Sequence, residues 1–171
     1  SFFGLGTPAY VSGTAYALLG LASVGYPVGS PLVARAVRWL LGVQNRDGGW
    51  GEAPDSFDDP SRAGRAPSMP PLTGIVLAAL AALRDRGAND PAMERAGRRA
   101  VRYLVRAQQA DGDWPNQGYA LTIVPPIFYV LEHHTLFYTL YGLARFAAAP
   151  GAAPPRARRR ARGLELAAVA E

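Results

Sequence analysis

Hydrophobic residues recur at helical spacing along this chain, in two alternating kinds of segment. Segments of the first kind are apolar on nearly every side and rich in small residues: 18–22, 77–81 and 140–144. Segments of the second kind carry Arg on one face and lead into Trp50 and Trp114. Apolar residues all round a helix indicate packing on several sides, whereas one polar face indicates an outer position. No alternating run of strand length stands out, so the pattern predicts an all-α protein with three inner and two outer helices.

The two outer segments are copies of one unit. Residues 34–50 and 98–114 align without a gap, and both end in Gln, three residues, Gly, one residue and Trp. The six motif residues are Gln44, Gly48 and Trp50, then Gln108, Gly112 and Trp114. The helices are predicted to start at Ser30-Pro31 and Asp90-Pro91, because a polar cap followed by Pro suits a first turn. The Asp-Gly pair in each motif predicts the turn that ends the unit.

The motif residues are better explained by structure than by catalysis. A Trp behind a helix-ending turn buries a large area while its N–H needs one partner, and a Gln side chain can bond backbone groups left free at the helix end. Repeats of this kind bury each other's faces and close into an α/α toroid. Closure needs more helices than these five, so we expect an incomplete arc of Gln-Trp repeats cut from a longer protein.

Composition excludes several kinds of chemistry. The chain has 171 residues and no Cys, which removes disulfides and zinc sites built on thiolates. All 18 basic side chains are Arg, and the residues after Pro150 carry three of the five net positive charges. The basic character is therefore a property of the tail, and no nucleic-acid partner is expected. That tail is best explained as a solvated end; attraction to anionic lipid is the alternative.

Several segments resemble those of triterpene cyclases, in the same order along the chain. The repeated Gln-x-x-x-Gly-x-Trp element is similar to the Gln-Trp motif of that family. Further similar segments are residues 10–14, 44–60, 68–73, 111–115, and 128–129 together with 143–146. The resemblance covers residues 10 to 147, and two Gln-Trp elements with these flanks make it specific.

The resemblance implies the carboxy-terminal portion of a class II triterpene cyclase of the squalene-hopene or oxidosqualene type, an isomerase or intramolecular transferase. Such an enzyme folds a linear C30 isoprenoid in an aromatic-lined cavity. An Asp-x-Asp-Asp acid donates the starting proton, and aromatic faces stabilise the cations that follow. This chain contains no Asp-x-Asp-Asp. We therefore expect no catalytic residue in it and no activity from it alone.

The resemblance also implies partners and boundaries. The expected partners are squalene or a related polyprene and the remainder of the cyclase chain, and a homodimer is compatible with it. Peripheral, monotopic membrane association on the cytoplasmic side is expected, with no cofactor and no metal. Residues 1–147 are expected to belong to the α/α-barrel cyclase domain, and residues 148–171 to form a flexible tail rich in Pro, Ala and Arg.

Five residues are expected to line the substrate cavity by this resemblance: Tyr10, Ser12, Val124, Phe128 and Tyr129. Phe128 is predicted to lie in the opening turn of the third inner helix, because Pro125-Pro126 precede it and Pro is tolerated only in a first turn. A core position would suit Phe128 and Tyr129 equally well. Ser12 and Val124 replace aromatic residues of the family pattern, so the shape of the pocket differs from that pattern.

Other candidate sites and functions are weaker. Asp55, Asp58 and Asp59 resemble a metal-binding carboxylate cluster, but their place after a turn favours a solvated loop. His133 and His134 are adjacent, so they point in different directions on a helix and do not form a zinc pair. A structural role is favoured for both, and a place for one of them in the cavity wall is the alternative. A non-catalytic α/α repeat module that binds lipid or protein is the main alternative function. A protein prenyltransferase subunit shares the toroid, but its zinc site normally includes a Cys.

Overall fold

The computed structural model describes residues 10–56, 59–115, 120–124, 127–130 and 132–148. For residues 120–124, 127–130 and 132 it describes the backbone alone. These residues include five α-helices, one two-stranded antiparallel sheet and two short 3₁₀ turns. The helices are α1 (Val11–Ser23), α2 (Pro31–Gly42), α3 (Pro70–Asp85), α4 (Pro91–Ala107) and α5 (Glu132–Ala147). The strands are β1 (Ala120–Val124) and β2 (Ile127–Val130). The five predicted helices are present, and the two strands depart from the predicted all-α fold.

Helix α3 lies at the centre of the structure. Every residue from Pro70 to Leu83 is buried, because α1, α4 and α5 all pack against this helix. Leu77 and Leu80 have almost no exposed surface. The apolar segment 77–81 therefore lies where its all-round hydrophobic pattern predicts.

Helices α2 and α4 pack with one apolar face inward. Both begin at the residues predicted from the sequence: Ser30 Oγ accepts a hydrogen bond from the N–H of Val33 at 3.3 Å, and Asp90 Oδ1 accepts one from Ala92 at 2.7 Å. The Pro residues that follow these caps need no hydrogen-bond donor there. Within the described part of the chain, no helix is both long and apolar enough to cross a membrane.

The backbones of α3 and α5 come into direct contact at two glycines. A Cβ atom on Gly142 would lie 2.1 Å from the carbonyl oxygen of Gly74, and one on Gly74 would lie 2.2 Å from that of Tyr138. No side chain fits in this space. The glycine in the sequence 140–144 is therefore required by close helix packing, and it lets α5 cover one side of the central helix.

The carboxyl end of α5 is held by an Arg from the central helix. The Arg84 guanidinium donates to the carbonyl oxygens of Arg145, Phe146 and Ala148 at 2.9–3.3 Å. The last carbonyls of a helix have no intrahelical partner, and a cation at that end is favourable. Asp85 adds an ion pair to Arg145 at 2.9 Å. Helices α3 and α5 are thus joined at both their glycine contact and their ends.

The antiparallel sheet was not predicted, and it corrects the position of Phe128. Phe128 lies in strand β2, where its backbone pairs with Thr122, and Tyr129 pairs with Leu121. The prediction that Phe128 opens the third inner helix is wrong, because α5 begins only at Glu132. Residues 120–124 and 127–130 are rich in β-branched and aromatic residues, which favour strands. Pro125-Pro126, on which that prediction rested, lie outside the described residues.

We expect Gly74→Ala to lower the free energy of unfolding by about 3 kcal/mol, because the added methyl group overlaps a backbone carbonyl that cannot move alone. Gly20→Ala is the matched control. Gly20 is also inside a helix, but a Cβ there meets nothing within 4 Å, so Ala should stabilise by up to about 1 kcal/mol. Urea denaturation of both variants measures the difference. Equal effects at the two positions would contradict the close contact of α3 and α5.

Candidate functional site

The first Gln-Trp segment forms a compact turn behind α2. The Gln44 amide donates to the carbonyl oxygen of Gly48 at 2.8 Å, and the indole N–H of Trp50 donates back to Leu40 in α2 at 2.8 Å. Trp50 has no exposed surface. Gly48 has a φ angle of 100°, a conformation that favours glycine. The turn thus satisfies a carbonyl at the helix end and buries its largest side chain.

The second Gln-Trp segment makes the same hydrogen bonds behind α4. The Gln108 amide donates to Gly112 at 2.8 Å, and the Trp114 indole donates to Leu104 at 2.8 Å. Gly112 has a φ angle of 89°. Equivalent backbone bonds close both turns, with Gly48 donating to Asn45 and Gly112 to Gln109 at 3.0 Å. The aligned repeats therefore form equivalent local structures.

The surroundings of the two turns differ, because α4 packs on the first one. Gln44 also donates to the carbonyl of Ala96 in α4 at 3.0 Å, and Arg99 of α4 donates to the carbonyl of Asn45 at 2.8 Å. On its other side, the N–H of Trp50 donates to Thr73 Oγ1 in α3 at 3.0 Å. Gln108 of the second turn is exposed. The first turn is thus a junction of α2, α3 and α4.

A polar cluster of Asp47, Ser68 and Tyr103 completes this junction. Ser68 Oγ donates to Asp47 Oδ1 at 2.7 Å, and the Tyr103 hydroxyl donates to the carbonyl of Ser68 at 2.8 Å. Burial raises the pKa of Tyr103 to about 12, and the charge of Asp47 acts in the same direction. Tyr103 therefore stays protonated at neutral pH and remains a hydrogen-bond donor. The hydrogen bonds of Ser68 and Tyr103 thus join the first turn to α4.

The five expected cavity residues fall into two regions. Tyr10 is the residue before α1 and Ser12 lies in its first turn, and both are half-buried. Val124 ends strand β1, while Phe128 and Tyr129 belong to β2. Tyr10 and Ser12 thus lie together at the start of α1, and the other three residues lie together in the two-stranded sheet. The structure describes only the backbone of the second region.

An aromatic cluster that the sequence analysis missed joins helices α1 and α5. The rings of Tyr16 and Tyr138 meet edge to face at 6.0 Å, and His134 meets Tyr138 in the same way at 5.1 Å. Such pairs are favourable ring geometries. Tyr16 follows Ser12 by four residues, and Tyr138 follows His134 by four, so each pair lies on one helix face. That spacing was the available signal.

The Asp-rich loop does not form a metal site among the residues that the structure describes. Asp55 pairs with Arg62 in an exposed contact. The hydroxyl and the N–H of Ser61 bind Asp59 and lower its pKa. Asp58 lies outside the described residues. No group of three or more His, Asp or Glu in the described ranges could hold a metal ion.

With this architecture established, comparison with known proteins assigns the chain to a family. Residues 1–148 match the model of the squalene-hopene cyclase C-terminal domain. The match covers most of the chain. The chain therefore belongs to the triterpene cyclase family, of which it represents a carboxy-terminal portion.

Individual relatives agree with this assignment. A probable squalene–hopene cyclase of Sinorhizobium fredii is 35% identical over 148 residues, covering 85% of this chain and 22% of the relative. A dammaradiene synthase of Dryopteris crassirhizoma is 33% identical, with the same two coverages. A squalene–hopene cyclase of Alicyclobacillus acidocaldarius is 38% identical over 141 residues, covering 82% of this chain and 20% of the relative. The chain thus spans only about a fifth of the length of these curated relatives.

We expect Gly48→Ala to destabilise the protein more than Gly112→Ala. Both positions have positive φ, so Ala costs about 1–2 kcal/mol at either. At Gly48 a Cβ would also lie 2.5 Å from the carbonyl oxygen of Arg99 in α4, whereas at Gly112 it meets nothing within 4 Å. The additional loss at Gly48 should be about 1–3 kcal/mol, measured by chemical denaturation. Similar losses would show that α4 does not pack on the first turn as described.

Proposed function

We propose that this chain is the carboxy-terminal part of a class II triterpene cyclase and helps to form the cavity in which a linear C30 isoprenoid is cyclised. The observation that carries the proposal is the match of residues 1–148 to the squalene-hopene cyclase C-terminal domain. Relatives named as squalene–hopene cyclases and as a dammaradiene synthase support squalene or a related polyprene as substrate.

The proposed contribution of this chain is a wall of the cavity, and the proton comes from elsewhere. The chain holds no Asp-x-Asp-Asp motif, so the acid that starts cyclisation would lie in another part of the enzyme. Aromatic side chains would stabilise cations through their ring faces, each by up to about 2 kcal/mol when desolvated. Walls that exclude water would prevent early quenching.

Two groups of residues are proposed to line this wall. The first comprises the residues suggested by the family resemblance: Tyr10, Ser12, Val124, Phe128 and Tyr129. The second is the aromatic cluster of Tyr16, His134 and Tyr138, which lies where α1 and α5 meet. The cluster supports the proposal because it supplies ring faces on inner helices. Its edge-to-face ring contacts would help to keep that wall rigid.

The complete domain is proposed to be an α/α toroid of Gln-Trp repeats, of which residues 1–147 form an arc. Support comes from the first turn, where Gln44 and Arg99 join successive outer helices. The exposed side chains of Phe137 and Leu140 on α5 are 60% and 48% accessible. We propose that further helices of the same enzyme cover them. Peripheral association with the cytoplasmic membrane face, and a homodimer, belong to the same proposal.

We expect the complete protein containing this chain to convert squalene or oxidosqualene into a polycyclic product, and the 171-residue chain alone to yield none. The isolated chain lacks the Asp-x-Asp-Asp acid, and general acid catalysis requires a positioned proton donor. Both proteins are incubated with each substrate, and the lipid extracts are compared by gas chromatography and mass spectrometry.

A heat-killed sample of each protein is the control. Product from the isolated chain above that control would contradict the proposed division of labour. No product from the active preparation of the complete protein would favour the alternative, a non-catalytic repeat module.

A further inference from the structure

Glu52 joins two distant segments of the backbone through its carboxylate. Oε2 accepts a hydrogen bond from the N–H of Val11 at 3.1 Å, and Oε1 accepts one from the N–H of Gly64 at 3.0 Å. Both contacts are partly buried, and Val11 itself has no exposed surface. Hydrogen bonds to an ionised group are stronger than those between neutral groups. Glu52 therefore holds the start of α1 against the loop that follows the first Gln-Trp turn.

Helix α1 lacks the local cap found on the two outer helices. Its preceding residue, Tyr10, makes no capping hydrogen bond through its side chain, and the first turn contains no acidic residue. The first N–H groups of a helix have no partner within it. Glu52, 41 residues away, supplies an acceptor for Val11. Its negative charge is also favourable at a helix amino terminus.

The other end of the carboxylate is attached to a fixed point. Gly64 has a φ angle of 73°, and a Cβ there would lie 2.8 Å from the Val43 side chain, at the end of α2. A Cβ on Gly51, the neighbour of Glu52, would lie 1.9 Å from the carbonyl oxygen of Pro67. The loop that contains Glu52 is thus packed closely against Pro67 at Gly51 and against Val43 at Gly64. Because the loop is fixed, the hydrogen bond from Val11 to Glu52 also fixes the position of the first turn of α1.

We propose that Glu52 is a positioning residue for the substrate cavity. Val11 lies between Tyr10 and Ser12, two of the residues proposed to line that cavity. A hydrogen bond that fixes the backbone at Val11 therefore also fixes the backbone positions of these two neighbours. This inference rests on the proposed function. Nothing in it requires Glu52 to touch substrate; the residue acts through the backbone of α1.

The structural part of the inference is tested on the 171-residue chain by amide hydrogen exchange. Glu52→Ala should accelerate exchange at Val11 and Gly64 by about tenfold or more, since a hydrogen bond to a charged group is lost at each. Glu52→Gln keeps one acceptor oxygen, so it should accelerate exchange less. Glu94→Ala is the matched control, because the Glu94 carboxylate pairs with Arg98 at 3.1 Å in an exposed contact. Unchanged exchange at Val11 in Glu52→Ala would overturn the inference whatever the function of the protein.

The functional part is tested on the complete protein with squalene and oxidosqualene. Glu52→Ala should shift the product distribution towards earlier-terminated products, with partial rescue in Glu52→Gln and no shift in Glu94→Ala. Accelerated exchange with an unchanged distribution would overturn the positioning role while the proposed function stands. A wild-type protein without any product would overturn the proposed function, and with it the cavity role of Glu52. The exchange result would then still decide whether the tether exists.

Discussion

The structure depends on the burial of Trp50 in the first Gln-Trp turn. The indole N–H of Trp50 donates to the carbonyl oxygen of Leu40 near the end of α2. The backbone of Trp50 is bound to the start of α3: its N–H donates to Thr73 Oγ1, and its carbonyl accepts from the N–H of Met69 at 2.8 Å. Burying a large aromatic side chain is favourable, and the hydrogen bond of its indole N–H avoids the cost of burying an unpaired donor. One side chain thereby sets where an outer helix stops and where the central inner helix begins.

The remaining contacts extend outward from that junction. Arg99 and Gln44 attach α4 to the turn, while the glycine contact and Arg84 attach α5 to the other side of α3. Glu52 attaches α1. Apart from the glycine contact, each link is a hydrogen bond to a backbone N–H or carbonyl group. A buried backbone group without such a partner is costly. This explains why a chain spanning a fifth of its relatives' length still has a buried central helix.

Local chemistry made part of this structure predictable. The caps at Ser30 and Asp90, the Asp-Gly turns and the apolar character of residues 77–81 are all short-range signals, and each corresponds to a described element. The strand pair was missed because its two segments are short and not clearly alternating, so periodicity could not distinguish them from helix. Helix propensity and strand propensity are both weak compared with tertiary context.

The candidate site was harder to predict than the fold. The family resemblance supplied Tyr10 and Ser12, but no pattern in the sequence indicates that Glu52 would reach Val11. Pairings across 41 residues depend on the path of the loop, which local signals do not determine. The cluster of Tyr16 and Tyr138 likewise appears only when α1 and α5 are brought together around α3. The long-range contacts are therefore the part of the candidate site that the sequence alone did not predict.

The rate of hydrogen exchange at the indole N–H of Trp50, measured by NMR with Trp114 as an internal comparison, tests the central role of the first turn most directly. Both indoles bind a carbonyl of the preceding outer helix at 2.8 Å, but only the first turn is covered by α4 within the described residues. We expect Trp50 to exchange through global unfolding alone, and Trp114 to exchange at least about tenfold faster through local opening. Equal rates, or slower exchange at Trp114, would contradict the claim that the structure depends on the first turn.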